Sequence, residues 1–419
     1  MSIVLLCIFI FILVLLKQPL FVILGSVCVY CYGFLGNLPL SGIIEDLYFA
    51  CDKEILLSIP LFILAGNILA HGGIAKKLID ITKSITAPIP AGLAIAAVLS
   101  CALFATISGS SPVTLIAVGS VLYPALLKAG YKKKFVLGLL SAGGTLGIIL
   151  PPSIPMIVFA VTTNVSVTDL FLAGVLPGLF LAFLLMAYSV AQGHSMPRGK
   201  WIWKNISQSF KKGLLALFMP AIILGGIYSG FFTATESAAV GVAYALLIEF
   251  CFYKELNIKQ LPLIFTESSK MLGSLFLILV FSISLNKFMT FEQVPQHLVN
   301  TLQKFISNKT SFLIGVTLLL LFVGCFMDII SAILVLAPLL TPVAIHFGIH
   351  PIHFGIIMIV NLEIGYLTPP IGINLFVASS IFKEPFGVVA KSVFPLVLVM
   401  LLGLFVITFT PSLSLFWIH

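Results

Sequence analysis

The sequence predicts an all-α polytopic membrane protein made of two inverted repeats, each holding a re-entrant helical hairpin and a transmembrane helix broken at Pro-Pro. Three observations predict it. Apolar residues fill 60% of the 419 positions and charged residues only 9%, with mean hydropathy +1.21, whereas a soluble domain is about one quarter charged. The apolar residues come in runs comparable to the roughly 20 residues that cross a bilayer. A shift of 218 residues (342 − 124 = 218) lays one half of the chain on the other.

The runs organise the chain as one integral membrane domain, with repeat one over about 55–192, linking helices over about 214–253 and repeat two over about 271–410. Ahead of them, Ile3–Leu16 is short for a span. Lys17-Gln18-Pro19 either separates it from Leu20–Leu35 or kinks one helix, which leaves the side of the N-terminus open. Met1-Ser2-Ile3 has no basic n-region, so the first run reads as retained rather than cleaved.

Two runs, Gly92–Leu127 and Phe312–Ala344, exceed one span, and each is interrupted halfway. The first break is Ser108-Gly109-Ser110-Ser111-Pro112; the second centres on Gly324, Met327 and Asp328. Lys76, Lys77 and Lys83 precede the first run and Lys128, Lys132, Lys133 and Lys134 follow it. By the positive-inside rule both flanks are cytoplasmic. That excludes a single crossing, and halves of about 15 residues, short for a span, favour a hairpin over two spans. Five spans then separate the two runs, so the second hairpin enters from outside.

The repeat is carried by backbone-breaking residues. Pro124, Gly130, Gly147, Pro151, Pro152 and Pro177 fall without a gap on Pro342, Gly348, Gly365, Pro369, Pro370 and Pro395, and Ser110 falls on Asp328. Proline removes an N–H and disfavours helix at the preceding residue, so each Pro-Pro should unwind its span. Unwound backbone at membrane depth is tolerated only where protein buries it or it lines a cavity, and inverted repeats place binding sites at such breaks.

Other classes fit poorly. The net charge of +8 forms no basic face, and Arg198 is the only arginine, which argues against nucleic acid. The seven cysteines are scattered, and Cys28 and Cys31 lack a second ligand pair at zinc spacing. His346, His350 and His353 have helical metal-site spacing, but Gly348 and Pro351 interrupt the helix. No HExxH and no nucleophile constellation indicates an enzyme, and no cofactor is implied.

The tip Ser108–Ser111 offers hydroxyls and carbonyls to a sodium ion, and a helix N-terminus to an anion. The alternative is a capped turn with no ligand. Ionisable groups inside a membrane default to function. Asp328 either neutralises a cation or caps the second hairpin arm. Glu363 orients the second break, and Glu236 reads as a first-turn acid behind a Thr233 cap. One sodium site is expected from Ser108, Ser110, Gly144 and Thr145, and a second from Gly324, Asp328, Gly365 and Thr368.

The chain also resembles a known family. Ser58–Asn67 with Gly72-Gly73-Ile74-Ala75, Ser108–Pro112, Gly144–Gly147, Pro151–Met156, Phe171–Gly178, Asp328, Pro351, His353–Gly355 and Thr368–Leu375 look like the large membrane subunit of TRAP transporters, over almost the whole chain. The resemblance implies sodium-driven uptake of an organic anion (sialic acid, a C4-dicarboxylate or a sugar acid) through the bacterial inner membrane by an elevator motion. It implies two partners besides membrane lipid, a periplasmic substrate-binding protein and a small subunit of about four helices. The chain begins in the large-subunit pattern, so that subunit is expected as a separate chain. Gly109, Ser111, Pro151, Pro152, Ser153, Met327, Pro369 and Asn374 join the binding-site expectation through these motifs. Thr233-Ala234-Thr235-Glu236 departs from the family's Thr-Pro-Thr-Glu. The competing readings are a stand-alone sodium–organic anion symporter, a passive channel, and a structural subunit of a respiratory complex.

Overall fold

Backbone polar groups in hydrocarbon have no water to bond, so apolar runs of this length must satisfy them within helices. A computed structural model describes residues 2–16, 18–36, 39–193, 196, 198–302, 306 and 308–418. Among the described residues all regular structure is helical. Helices α1 (Ser2–Leu15) and α2 (Leu20–Tyr30) are separate, with Pro19 as the N-cap of the second, a position that needs no N–H. Lys17 lies outside the described residues. A π-helical turn carries α2 on to Leu35, and α3 spans Ser41–Cys51.

Repeat one comprises α4 (Ser58–His71), α5 (Ile74–Thr86), the hairpin arms α6 (Gly92–Ser108) and α7 (Ser111–Lys128), the broken pair α8 (Lys133–Ile149) and α9 (Ile154–Thr163), and α10 (Val167–Gly193). The linking helices are α11 (Trp203–Tyr228) and α12 (Ala234–Leu247), the latter extended by a π-helical segment to Tyr253. Repeat two has the same order: α13 (Leu261–Phe291), α14 (Val294–Leu302), the arms α15 (Lys309–Phe326) and α16 (Ile329–His346), the broken pair α17 (Pro351–Gly365) and α18 (Ile373–Phe382), and α19 (Phe386–Phe409). A final turn, α20, covers Ser412–Leu415. Helices α11 and α13 begin before their apolar runs, because lysines and serines in the first three turns, with Glu267 in α13, hide the helix start from hydropathy.

The register of the repeat changes once. Helices α7 and α16 start 218 residues apart (329 − 111 = 218), and Gly130 and Gly348 in the turns that follow both have positive φ. After the breaks the offset is 219: Ser153 and Gly372 are the N-caps (372 − 153 = 219), and Asn164 and Lys383 are the left-handed C-caps. The gapless superposition therefore holds only through the Pro-Pro pairs, and Pro177 and Pro395 are one residue out of structural register. The extra residue sits in the second break, where Gly372 adopts φ +52, a conformation open to glycine at little cost.

The hairpin arms hold 17 or 18 residues rather than about 15. Three of the four are long and apolar enough to count as spans by themselves, so length does not identify a re-entrant hairpin. Packing does. The tip between α6 and α7 touches the α8–α9 break, midway along a 31-residue apolar stretch, through Ile154 N–H donating to the Gly109 carbonyl at 3.3 Å. The other tip meets its own break through Ile371 N–H and the Cys325 carbonyl at 3.2 Å. Helix α7 runs along α18, whereas α16 runs along α9. Lys133 pairs with Glu384 at one end of the molecule, at 2.5 Å, and Asn286 donates to the Thr162 carbonyl at the other, at 3.5 Å. The two hairpins thus enter from opposite ends.

Helices α8 and α17 form the centre. The apolar window through α8 and α9 is wholly buried, as is almost every residue of α17. A helix that is apolar all round belongs in such a position.

Candidate functional site

Two glycines let the hairpin tips reach the broken helices. A Cβ on Gly147 would lie 2.6 Å from the Ser110 carbonyl oxygen, and one on Gly365 would lie 2.5 Å from Gly324 Cα. Neither neighbour is the far end of a flexible side chain, so the approach requires glycine at both repeat-related positions.

The first tip is a capped, hydrogen-bonded turn. Ser108 Oγ and Thr114 Oγ1 lie 2.7 Å apart, and Thr114 donates to the Ser110 carbonyl at 2.9 Å. Ser110 is the N-cap of α7 without using its side chain. Behind it the first break is closed by Ser153, which donates to the Ile148 carbonyl at 2.6 Å and accepts from Met156 N–H at 3.4 Å. Ser153, Pro151 and Pro152 are all buried.

In the second tip Asp328 forms the cap of α16. Its Oδ1 accepts from Ile330 N–H at 2.9 Å and Ser331 N–H at 3.1 Å, and Oδ2 accepts from the Ser331 hydroxyl. This satisfies orphan donors of the first turn of α16. Met327, extended at φ −119, closes α15. Pro369 and Pro370 are exposed, unlike Pro151 and Pro152. Both Pro-Pro bonds are cis.

The two tips share one cavity of about 300 Å³. Gly109, Ser110 and Ser111 line one side, Asp328 the other, and Tyr366 with Leu275 and Ile278 of α13 complete it. None of its described lining residues is basic. Thr368 and Pro369 do not reach it; they line a separate, largely apolar cavity of about 310 Å³ against α19. Thr368 donates to the Ile364 carbonyl at 2.9 Å. Gly144 faces Leu115 of α7 instead of open space.

A polar cluster without solvent contact lies beside the shared cavity. Asn374 Nδ2 donates to Ser111 Oγ at 2.5 Å, joining α18 of one repeat to the tip of the other. Glu363 is fully buried, and the hydroxyls of Ser111 and Thr145 face its carboxylate. Asn374 Oδ1 is without a partner. Glu363 and Asn374 thus both meet the Ser111 hydroxyl. Burying a charge unpaired costs far more than burying it paired.

Sequence reasoning missed several of these residues. Tyr366, whose hydroxyl accepts from Ile329 N–H at 2.9 Å, carries a signal in being a tyrosine beside a break, where a buried hydroxyl needs a partner. The sequence reading of Glu363 as orienting the break leaves out the Ser111 and Thr145 hydroxyls that face it. Nothing in the sequence pointed to Thr114. At Glu236 the capping box forms as read, with Thr233 N–H donating to the glutamate at 2.8 Å although Ala234 stands in place of proline. His350 caps α17 and His353 is buried within it, 3.3 Å from the Thr408 carbonyl.

A family model described as the DctM component of tripartite ATP-independent periplasmic transporters matches residues 6–413. The chain is 40% identical over 396 residues to a C4-dicarboxylate TRAP transporter large permease protein of Pseudomonas aeruginosa, covering 90% of this chain and 93% of that one. A Rhodobacter capsulatus protein of the same name is 37% identical over 420 residues, with 96% of each covered. The fold is similar to the crystal structure of the Alcanivorax borkumensis YdaH transporter, with a TM-score of 0.61 at 13% identity over 90% of this chain and 87% of that one. The chain is a multi-pass protein of the bacterial inner membrane and belongs to the DctM family, the large permease component of tripartite ATP-independent periplasmic transporters.

Proposed function

We propose that this permease takes up a small dicarboxylate by sodium symport, moving it by an elevator motion of the two hairpin-bearing units. The observation that carries the reading is one cavity bounded by both hairpin tips, with hydroxyls, helix N-termini and one acid but no basic side chain among its described lining residues. An anion entering beside Asp328 needs a compensating cation, and sodium supplies one without the dehydration penalty of magnesium. The volume, at the small end of ligand pockets, suits a four-carbon diacid, the substrate class named for both relatives above. The two breaks are equivalent by repeat but not by environment, since one is buried and the other exposed. That inequality favours a carrier with alternating access over a passive channel.

The tripartite family description supports two further components, a periplasmic binding protein that delivers the substrate and a small membrane subunit. The test is reconstitution of all three in liposomes with labelled succinate. Uptake that requires both an inward sodium gradient and the binding protein is the expected result. Uptake with neither would end the reading.

A further inference from the structure

We propose that the cytoplasmic junction of α5 and α11 is a binding site for the phosphate headgroup of an anionic phospholipid. Helix α5 is amphipathic. Its buried face, Ile74, Leu78, Ile79 and Ile81, packs on α6 and α11, and it leaves Lys77, Asp80 and Lys83 on the other side. With Lys200 and Lys212 these residues surround a cavity of about 370 Å³. Four lysines therefore face one aspartate.

Lys77 lies 3.6 Å from Glu255 and over the Tyr253 ring at 5.5 Å. Among the described residues, Lys83, Lys200 and Lys212 have no carboxylate within salt-bridge distance. Burial holds the Lys83 ammonium below the ordinary lysine value, with Asp80 opposing. Three cations held together with one acid form a site for an anion. Charge-assisted bonds to phosphate oxygens are the strong ones.

Two observations favour a lipid over a soluble phosphate. A second cavity of about 260 Å³ adjoins the first through Lys83 and Ala87 and is lined by Leu93, Tyr131 and Met196, among others, so an amphipathic ligand is accommodated from head to glycerol and acyl root. The rim carries Trp201, 57% exposed, and Trp203, 76% exposed, and tryptophan concentrates at the membrane–water interface. Trp201 Nε1 donates to the Ile85 carbonyl at 2.8 Å, and Gly199 N–H to Ala87 at 2.9 Å, which pins this rim to the end of α5. Basic pockets between helices on the cytoplasmic side bind such headgroups.

The experiment is native mass spectrometry of the purified permease after exchange with phosphatidylglycerol, cardiolipin or phosphatidylethanolamine. The expected result is retention of the two anionic lipids, reduced at least tenfold in Lys83→Gln/Lys200→Gln/Lys212→Gln. Lys204→Gln/Lys211→Gln, which removes two neighbouring charges outside the cavity, should retain them as the parent does. Exposed Lys200→Gln alone gives a partial loss if the triple variant does not fold. Equal loss in the control pair, or undiminished retention in the cavity variants, overturns the proposal. So does displacement of the lipid by millimolar glycerol 3-phosphate, which would mark a site for soluble phosphates.

Discussion

Thr145 and Glu363 hold equivalent positions in the two repeats (363 − 145 = 218), and in the folded chain their side chains face each other. The contact brings α8 and α17 together where the repeats meet. It also breaks their symmetry chemically, with a hydroxyl on one side and a buried carboxylate on the other. In the proposed reading a sodium ion near Thr145 balances that carboxylate. Glu363→Gln keeps the shape and removes the charge, so folding should persist while the sodium concentration for half-maximal uptake rises several-fold. An unchanged sodium curve would remove Glu363 from ion coupling.

The tip contacts predict a sharp contrast among glycines. Gly365→Ala and Gly147→Ala place a methyl against backbone, so each should destabilise by about 1–3 kcal/mol as overpacking does, and uptake should fall with the displaced tip. Gly387→Ala, in α19 with no neighbour within 4 Å, should be neutral or slightly stabilising. Thermal unfolding of the three variants in one lipid mixture makes the comparison.

Asp328 allows its cap to be separated from its charge. Asparagine is as good an N-cap as aspartate, and alanine loses about 1 kcal/mol. Asp328→Asn should therefore keep the parent's thermal stability, and Asp328→Ala should lower it. If the negative charge also serves sodium, both variants will need more sodium for uptake. Should only the alanine variant change, Asp328 is a cap and nothing more.

Much of this was legible because proline, glycine and lysine act locally. Each Pro-Pro marked a real break, Ser108–Ser111 a real turn, and Thr233 with Glu236 a real capping box. The site's pairings were not legible. Asn374 and Ser111 are 263 residues apart and meet only because one repeat is inverted against the other. Helix α17 is apolar on every side, so its pattern names no face toward which Glu363 should point. The arm lengths misled for a related reason: hydropathy sees the apolar run, and the tip's depth is decided by glycine contacts across the fold.

Orientation is set by the lysines and is open to direct test. Cysteines introduced at Lys83 and Lys132 should react with an impermeant maleimide only from the cytoplasmic side, and one at His350 only from the periplasm. His350 caps α17 at the outer base of the second hairpin in this arrangement. Labelling of positions 83 and 350 from the same side would contradict the inverted hairpins.

The absence of a basic side chain among the described residues around the shared cavity makes the strongest claim about substrate binding. Arg198, the one arginine of the chain, is exposed in the connection between α10 and α11 and does not line the cavity. A guanidinium is the usual bidentate partner of a carboxylate, and here none is in place. A single helix N-terminus carries roughly half an elementary charge, too little to balance a dicarboxylate. The starts of α7, α9, α16 and α18 gather around the cavity, and in the proposed reading bound sodium adds to them. Substrate affinity should then fall steeply when sodium is withdrawn, and Arg198→Gln should transport at close to the parent rate. Loss of substrate recognition in a stably folded Arg198→Gln permease would mean that the anion is held by arginine after all.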